Sequence, residues 1–101
     1  MAERECPMWR FCRTLGNKWG NRIFEKLVQT EEMGFNELLR ATKANPRTLS
    51  LKLKALEENS LVKKRILEKE RPIRVLYSLT EKGRQAKQVR DYISTWADKW
   101  K

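Results

Sequence analysis

Residues 45–79 constrain this chain more than any other stretch. Asn45-Pro46 is a strong helix start: an N-cap residue, then a proline at the first helical position, where its missing N–H costs nothing. Leu49, Leu53 and Leu56 then recur on one helical face. Arg47, Leu51 and Lys54 fall nearly opposite that face, with Thr48 and Ser50 flanking. This spacing predicts a helix over 46–59, ended by Ser60-Leu61. Two strands follow at once, Leu61 to Glu68 and Arg74 to Leu79, rich in Val, Ile, Leu and Tyr. Lys69, Glu70 and Arg71 form the charged tip between them, and Pro72 sits at the turn, where its lack of an N–H breaks no ladder.

The same stretch carries most of the charge. Between Arg40 and Arg74 there are eleven Lys or Arg and four Asp or Glu, so the window holds +7 of the chain's net +10. Such clustering argues for a polyanionic partner, nucleic acid first and an anionic surface second. A buried helix would not place Arg47 and Lys54 on its outer face. A merely solvated helix would rarely place Leu51 there. An exposed leucine beside Arg, Thr and Ser suits a groove in which it meets a thymine methyl. The plainer alternative is an ordinary amphipathic helix with one stray exposed leucine. For Lys63, Lys64 and Arg65 at the base of the strands, the alternative is a lysine-solvated edge strand.

The rest of the chain is helical in pattern. Pro7 follows Cys6 as a first helical residue would, and the short segment near 6–15 ends at Leu15-Gly16. Gly16 fits a left-handed C-terminal position, and Asn17 caps the next helix. Trp19, Ile23, Phe24, Leu27 and Val28 form a one-sided stripe that Glu31, Glu32 and Gly34 break. A third helix is predicted from Asn36 to Lys43, with Phe35, Leu38 and Leu39 inward. Thr80 caps a last helix near 80–100, with Glu81 at its positive end. There Ala86, Val89, Ile93, Trp96 and Trp100 alternate at spacings of three and four, the pattern of a helix–helix seam. One small core with Trp9 or Trp19 and Phe24 leaves no room for two terminal tryptophans, so a homodimer is expected with Val89, Ile93, Trp96 and Trp100 at its seam.

The expected fold class is therefore mostly α with a small antiparallel β-hairpin. It is a winged helix-turn-helix over residues 1–101, with recognition helix 46–59, wing 61–79 and terminal helices forming a dimer interface. In that fold the helix enters the DNA major groove and the hairpin tip reaches the flanking backbone or minor groove. Arg47, Thr48, Ser50, Leu51 and Lys54 would approach base edges. Lys63, Lys64, Lys69, Arg71 and Arg74 would serve the backbone or minor groove. A two-fold dimer suits a palindromic operator in double-stranded DNA.

Other function classes find little support. The chain has no histidine and two cysteines, which removes Ser-His and Cys-His catalysis and leaves too few ligands for a zinc site. No phosphate loop or paired-carboxylate cleft is visible, so no enzyme, metal or cofactor is expected. Met1 to Glu5 is charged and lacks an apolar leader core, and no apolar run approaches the ~20 residues of a membrane span. A cytoplasmic protein without a membrane partner is expected.

The motifs resemble those of the HxlR-type winged helix-turn-helix regulators, relatives of the MarR group. Cys6-Pro7 and Leu15-Gly16-Asn17-Lys18-Trp19 are similar to the family's opening Cys-Pro and its Leu-Gly-Gly-Lys-Trp signature. Phe35-Asn36-Glu37-Leu38, Pro46-Arg47-Thr48-Leu49-Ser50 and Leu53-Lys54-Ala55-Leu56-Glu57 continue the likeness. Arg71 to Gly83 resembles the wing and its Tyr-x-Leu-Thr-x-x-Gly exit. Asn17, Gly34 and Ser60 depart from the family's glycine, arginine and glycine. The resemblance implies a homodimeric DNA-binding transcription factor joined through its terminal helices, with repression the expected direction. A non-specific architectural DNA-binding protein is the alternative.

The resemblance also marks Cys6 as a candidate thiol sensor of electrophiles or oxidants. A helix N-terminus with Arg4 and Arg10 nearby favours thiolate, while Glu3 and Glu5 oppose it. Cys12 lies about 9 Å further along the helix, too far for an intrachain disulfide without unwinding. The plainer roles are a helix cap for Cys6 and a small core residue for Cys12. A dimer-interface pocket near Trp9, Trp19 and Tyr92 could hold an aromatic small-molecule effector, although such rings are more often simply core.

Overall fold

The computed structural model describes residues 6–101. Their elements run α1 (Pro7–Thr14), α2 (Lys18–Gln29), β1 (Met33–Gly34), α3 (Phe35–Thr42), α4 (Pro46–Glu58), β2 (Val62–Leu67), β3 (Arg74–Leu79) and α5 (Glu81–Lys99). The expected helices and hairpin are present within a few residues of their predicted ends. Residues 3–5, invoked above around Cys6, lie outside the described part.

Local chemistry explains most boundaries. Asn17 Oδ1 accepts the Gly20 N–H at 2.7 Å and caps α2. Asn45 Oδ1 accepts the Thr48 N–H at 2.8 Å, ahead of Pro46 at the first position of α4. Thr80 Oγ1 accepts the Gly83 N–H at 3.0 Å and caps α5. Cys6 occupies the N-cap position of α1, but its side chain makes no capping hydrogen bond.

The hairpin is part of a three-stranded antiparallel sheet of order β1-β3-β2. Met33 pairs with Tyr77 and Gly34 with Leu76, so the extra strand is only two residues long. It precedes α3 directly. That helix begins at Phe35, one residue earlier than its pattern predicts, with Gly34 as N-cap. β2 and β3 pair from Val62 with Leu79 to Leu67 with Arg74.

Ile23, Phe24 and Leu27 of α2, Leu38 of α3 and Leu49, Leu53 and Leu56 of α4 form a fully buried centre. Leu15, Ala44, Leu61, Val62 and Leu79 close it. Trp19 packs partly buried against this core, flanked by Lys18 and Arg22 at 5.0 and 5.2 Å from its ring, whereas Trp9 is exposed. Cys12 is also exposed and is not the small core residue weighed above. Residue 12 points outward because Phe11 and Thr14 take the inward positions of the short helix.

One expected detail changes. Gly16 is not left-handed. A Cβ there would stand 2.7 Å from Cys12 Cα, so close chain approach at the end of α1 accounts for the glycine. Gly83 has a similar reason, since a Cβ would meet the Leu61 carbonyl oxygen at 2.2 Å where α5 crosses the start of the wing.

Candidate nucleic-acid interface

The turn between α3 and α4 sets the angle of the second helix. Lys43 ends α3 in the left-handed region at φ 61°, and its N–H donates to the Leu39 carbonyl at 2.9 Å. Thr42 is buried; its hydroxyl donates to the Leu38 carbonyl at 2.7 Å. Arg22 of α2 reaches the Thr42 carbonyl at 3.3 Å. The helix-turn-helix is thus pinned from beneath as well as along the chain.

The three buried leucines of α4 turn its other face outward. Arg47, Ser50, Leu51 and Lys54 are exposed there, and Leu51 leaves 57 % of its surface in solvent. Thr48 is half-buried at their edge, its backbone N–H taken by Asn45. Guanidinium, ammonium, hydroxyl and branched methyl groups thus share one convex surface. These are the groups that match guanine edges, phosphates and thymine methyls.

The wing supplies the flanking cations, but they are not equivalent. Lys63, Lys64, Lys69, Arg71 and Arg74 are all exposed. Lys63 and Lys69 make no ion pair among the described residues. Arg71 turns back on the tip, where its Nη1 donates to the carbonyls of Glu68 at 2.7 Å and Glu70 at 3.0 Å. Lys64 faces Glu57 of α4 at 3.9 Å. Arg74 faces Glu37 of α3 at 3.2 Å. Arg65 makes a fork to Glu32, with Nε at 3.1 Å and Nη2 at 2.8 Å. That hydrogen bond holds the Glu32 carboxyl below its ordinary range, with the Arg65 and Lys63 charges adding to it. The carboxylates of Glu32, Glu37 and Glu57 are the part of this surface that sequence spacing did not bring forward. Glu37 and Glu57 entered only as parts of motifs and Glu32 only as a break in the α2 stripe, none of them as a partner of a wing cation.

The predicted seam residues lie together along α5. Val89, Ile93, Trp96 and Trp100 are exposed, and Tyr92 joins them. Met8 and Trp9 of α1 are exposed as well. Arg90 instead turns inward, 5.4 Å from the Phe24 ring, and helps fix α5 to α2. A cavity of about 450 Å³ opens between α1 and α5, with Phe11, Leu15, Leu61, Ala86 and Val89 among its walls. None of Trp9, Trp19 and Tyr92 lines it. Among the described residues, no helix is long and apolar enough to cross a membrane.

Known proteins share this arrangement. YodB, an HTH-type transcriptional regulator of Bacillus subtilis, is 31 % identical over 102 residues, covering 99 % of this chain and 89 % of its own length. The solved structure of reduced YodB superposes with a TM-score of 0.82 at 31 % identity, over 96 % of this chain and 95 % of that one. The oxidised form of the redox regulator HypR gives 0.78 at 28 % identity, over 95 % and 98 %. The profile of the HxlR-like helix-turn-helix proteins matches residues 14–101. This chain belongs to the HxlR-like helix-turn-helix family of DNA-binding transcriptional regulators.

Proposed function

We propose that the chain, 1–101, is one winged helix-turn-helix domain that acts as a homodimeric, sequence-specific repressor on a palindromic operator. Arg47, Ser50, Leu51 and Lys54, with Thr48 at their edge, read base edges in the major groove. Lys63, Lys69 and Arg71 grip the flanking backbone or minor groove, with Lys64 near the wing's base and Arg74 beside its tip. The observation that carries this reading is the outer face of α4, where an exposed Leu51 stands among groups that recognise bases. Solvation alone accounts for lysines there but not for the leucine.

Dimerisation is supported by the exposed large apolar side chains of α5 and α1, since patches of this kind mark association sites. It would bring two α4 helices to two half-sites one helical turn apart. In this reading a dimer held at Val89, Ile93, Trp96 and Trp100 is the repressing species.

Titration of the protein onto its own upstream intergenic DNA and onto scrambled DNA, at ~0.15 M salt, tests the proposal. Tight binding of two chains to one site, far above the scrambled control, is the expected result. Equal and steeply salt-dependent binding to both would overturn it and favour the architectural alternative.

Control by oxidants or electrophiles through Cys6 belongs to the same proposal. The thiol is exposed at the start of α1, beside the proposed seam, and the chain is similar to a protein named as a redox regulator. Diamide, which takes two electrons and two protons from a pair of thiols, is expected to release the protein from DNA. If Cys6→Ser is released as readily as the parent chain, Cys6 is not the sensor.

A further inference from the structure

Three carboxylates outside the wing, those of Glu32, Glu37 and Glu57, each engage a basic side chain of the sheet, and one sits where three elements meet. Glu37 Oε1 accepts the Gly34 N–H at 3.2 Å, which satisfies a free donor at the start of α3. The same oxygen accepts from Arg74 Nη2 at 3.2 Å. Gly34 is also the last residue of β1 and pairs with Leu76 on β3. A single carboxylate oxygen therefore joins α3, β1 and the first residue after the wing tip.

The space around this point is filled. A Cβ on Gly34 would stand 3.1 Å from Glu37 Oε1, 3.5 Å from Arg74 Nη2 and 3.7 Å from Leu76 Cδ2. By strand alternation Tyr77 and Leu79 turn toward the main core, so Leu76 turns to the other face, yet it is buried. Arg65 stands opposite Leu76 in the β2–β3 register, and Arg74 lies two residues closer to the tip. The forked Glu32–Arg65 pair and the Glu37–Arg74 pair thus flank that leucine.

We propose that Glu37 is a positioning residue for DNA recognition and that Arg74 serves it rather than a phosphate. Glu37 fixes where β3 leaves the tip, and so fixes where Lys69 and Arg71 stand relative to α4. Glu32 does the same for β2 through Arg65. Exposed ion pairs contribute little to stability, so the work of these pairs is orientation. The helix that opens the helix-turn-helix is thereby coupled to the wing. This inference rests on the DNA-binding reading above and narrows which wing cations meet DNA.

Full-length Glu37→Gln, Arg74→Ala and the double variant are compared with the parent chain. Binding to operator DNA is measured over a range of salt, and amide hydrogen exchange of residues 68–73 is followed without DNA. Each single variant is expected to weaken operator binding about two- to fivefold, the size of one exposed pair. The double variant should lose no more than either single one, because the two residues act as one device. The slope of log K against log salt should stay unchanged, and tip exchange should quicken in all three.

The opposite pattern would overturn the proposal. If Arg74→Ala lowers the salt slope by about one while Glu37→Gln tightens binding, Arg74 is a phosphate ligand and Glu37 its competitor. Unchanged tip exchange in Glu37→Gln would also exclude the positioning role, whatever happens on DNA. Absence of operator preference in the parent chain would refute the repressor reading instead, and the exchange measurement would still decide this one.

Discussion

Two residues end their helices in left-handed backbone without being glycine. Lys43 closes α3 at φ 61° and Ser60 follows α4 at φ 60°. That conformation brings a Cβ close to the following carbonyl and costs roughly 1–2 kcal/mol for an ordinary side chain. Glycine avoids the clash but loses more freedom on folding, so the net gain is smaller. Ser60→Gly is therefore expected to stabilise the fold by about 1 kcal/mol, since the bonds of Ser60 to the Glu57 carbonyl and from the Thr80 hydroxyl are made by backbone groups that glycine keeps. Thermal unfolding would read this as a rise of several degrees; an unchanged or lower midpoint would contradict it. The resemblance had flagged Ser60 as replacing a glycine, and the positive φ supplies the reason for the family's choice. Lys43 gave no such signal, because nothing in Thr42-Lys43-Ala44 announces a left-handed turn.

At the scale of elements, α4 shows how far periodicity reaches. Leu51 and Leu53 are two residues apart and look alike, yet one is 57 % exposed and the other 1 %. Leu53→Ala should cost ~2–5 kcal/mol of stability. Leu51→Ala should leave stability within ~0.5 kcal/mol and weaken binding only to sites whose thymine methyls it meets. Denaturation and binding curves on both variants check the pair; equal stability losses would mean that the outer face is not free. The stripe was legible because a 3.6-residue period sorts the two leucines with no knowledge of the fold. β1 was not legible, since two residues carry no alternation and exist as a strand only through β3. The ion pairs were hidden for a related reason. Glu32 and Arg65 are 33 residues apart and Glu37 and Arg74 are 37, so the fold alone brings them together. The wing's charge was plain in the sequence, but not its division between cations facing carboxylates and Lys63 and Lys69, which make no ion pair among the described residues. On the proposed reading Lys69→Ala should weaken binding to all sequences alike and reduce the salt slope by about one. A sequence-dependent loss would place Lys69 at bases instead.

The whole molecule leaves its last helix half unsupported. At 19 residues α5 is about 28 Å long. Gly83, Ala86 and Arg90 hold its first half against the body, whereas Trp96 and Trp100 are largely exposed. If they meet a second copy, Trp96→Ala should shift the chain toward monomer and weaken operator binding together. Light scattering after gel filtration measures the first effect. A dimer of undiminished strength would move the seam elsewhere. The carboxylates give the molecule a defined response to acid. Hydrogen bonds from Arg65 to Glu32, Arg84 to Glu81 and Lys87 to Asp91 hold all three carboxyls below their ordinary range. A carboxyl that is more acidic folded than unfolded stabilises the fold at any pH above its unfolded value. That contribution fades as the pH falls through the folded value. Stability should therefore stay level from neutral pH down to about 5 and decline below it, a profile that thermal melts across the range would trace.

The central claim is that the outer face of α4 reads sequence, and Arg47 tests it most directly. Binding of the parent chain and of Arg47→Ala is measured on operator and on scrambled DNA at the same salt. Arg47→Ala is expected to lose ~1–3 kcal/mol on the operator and to change little on scrambled DNA, so that the ratio between the two collapses. Equal losses on both would contradict it, leaving Arg47 a phosphate contact and α4 a basic helix without a message.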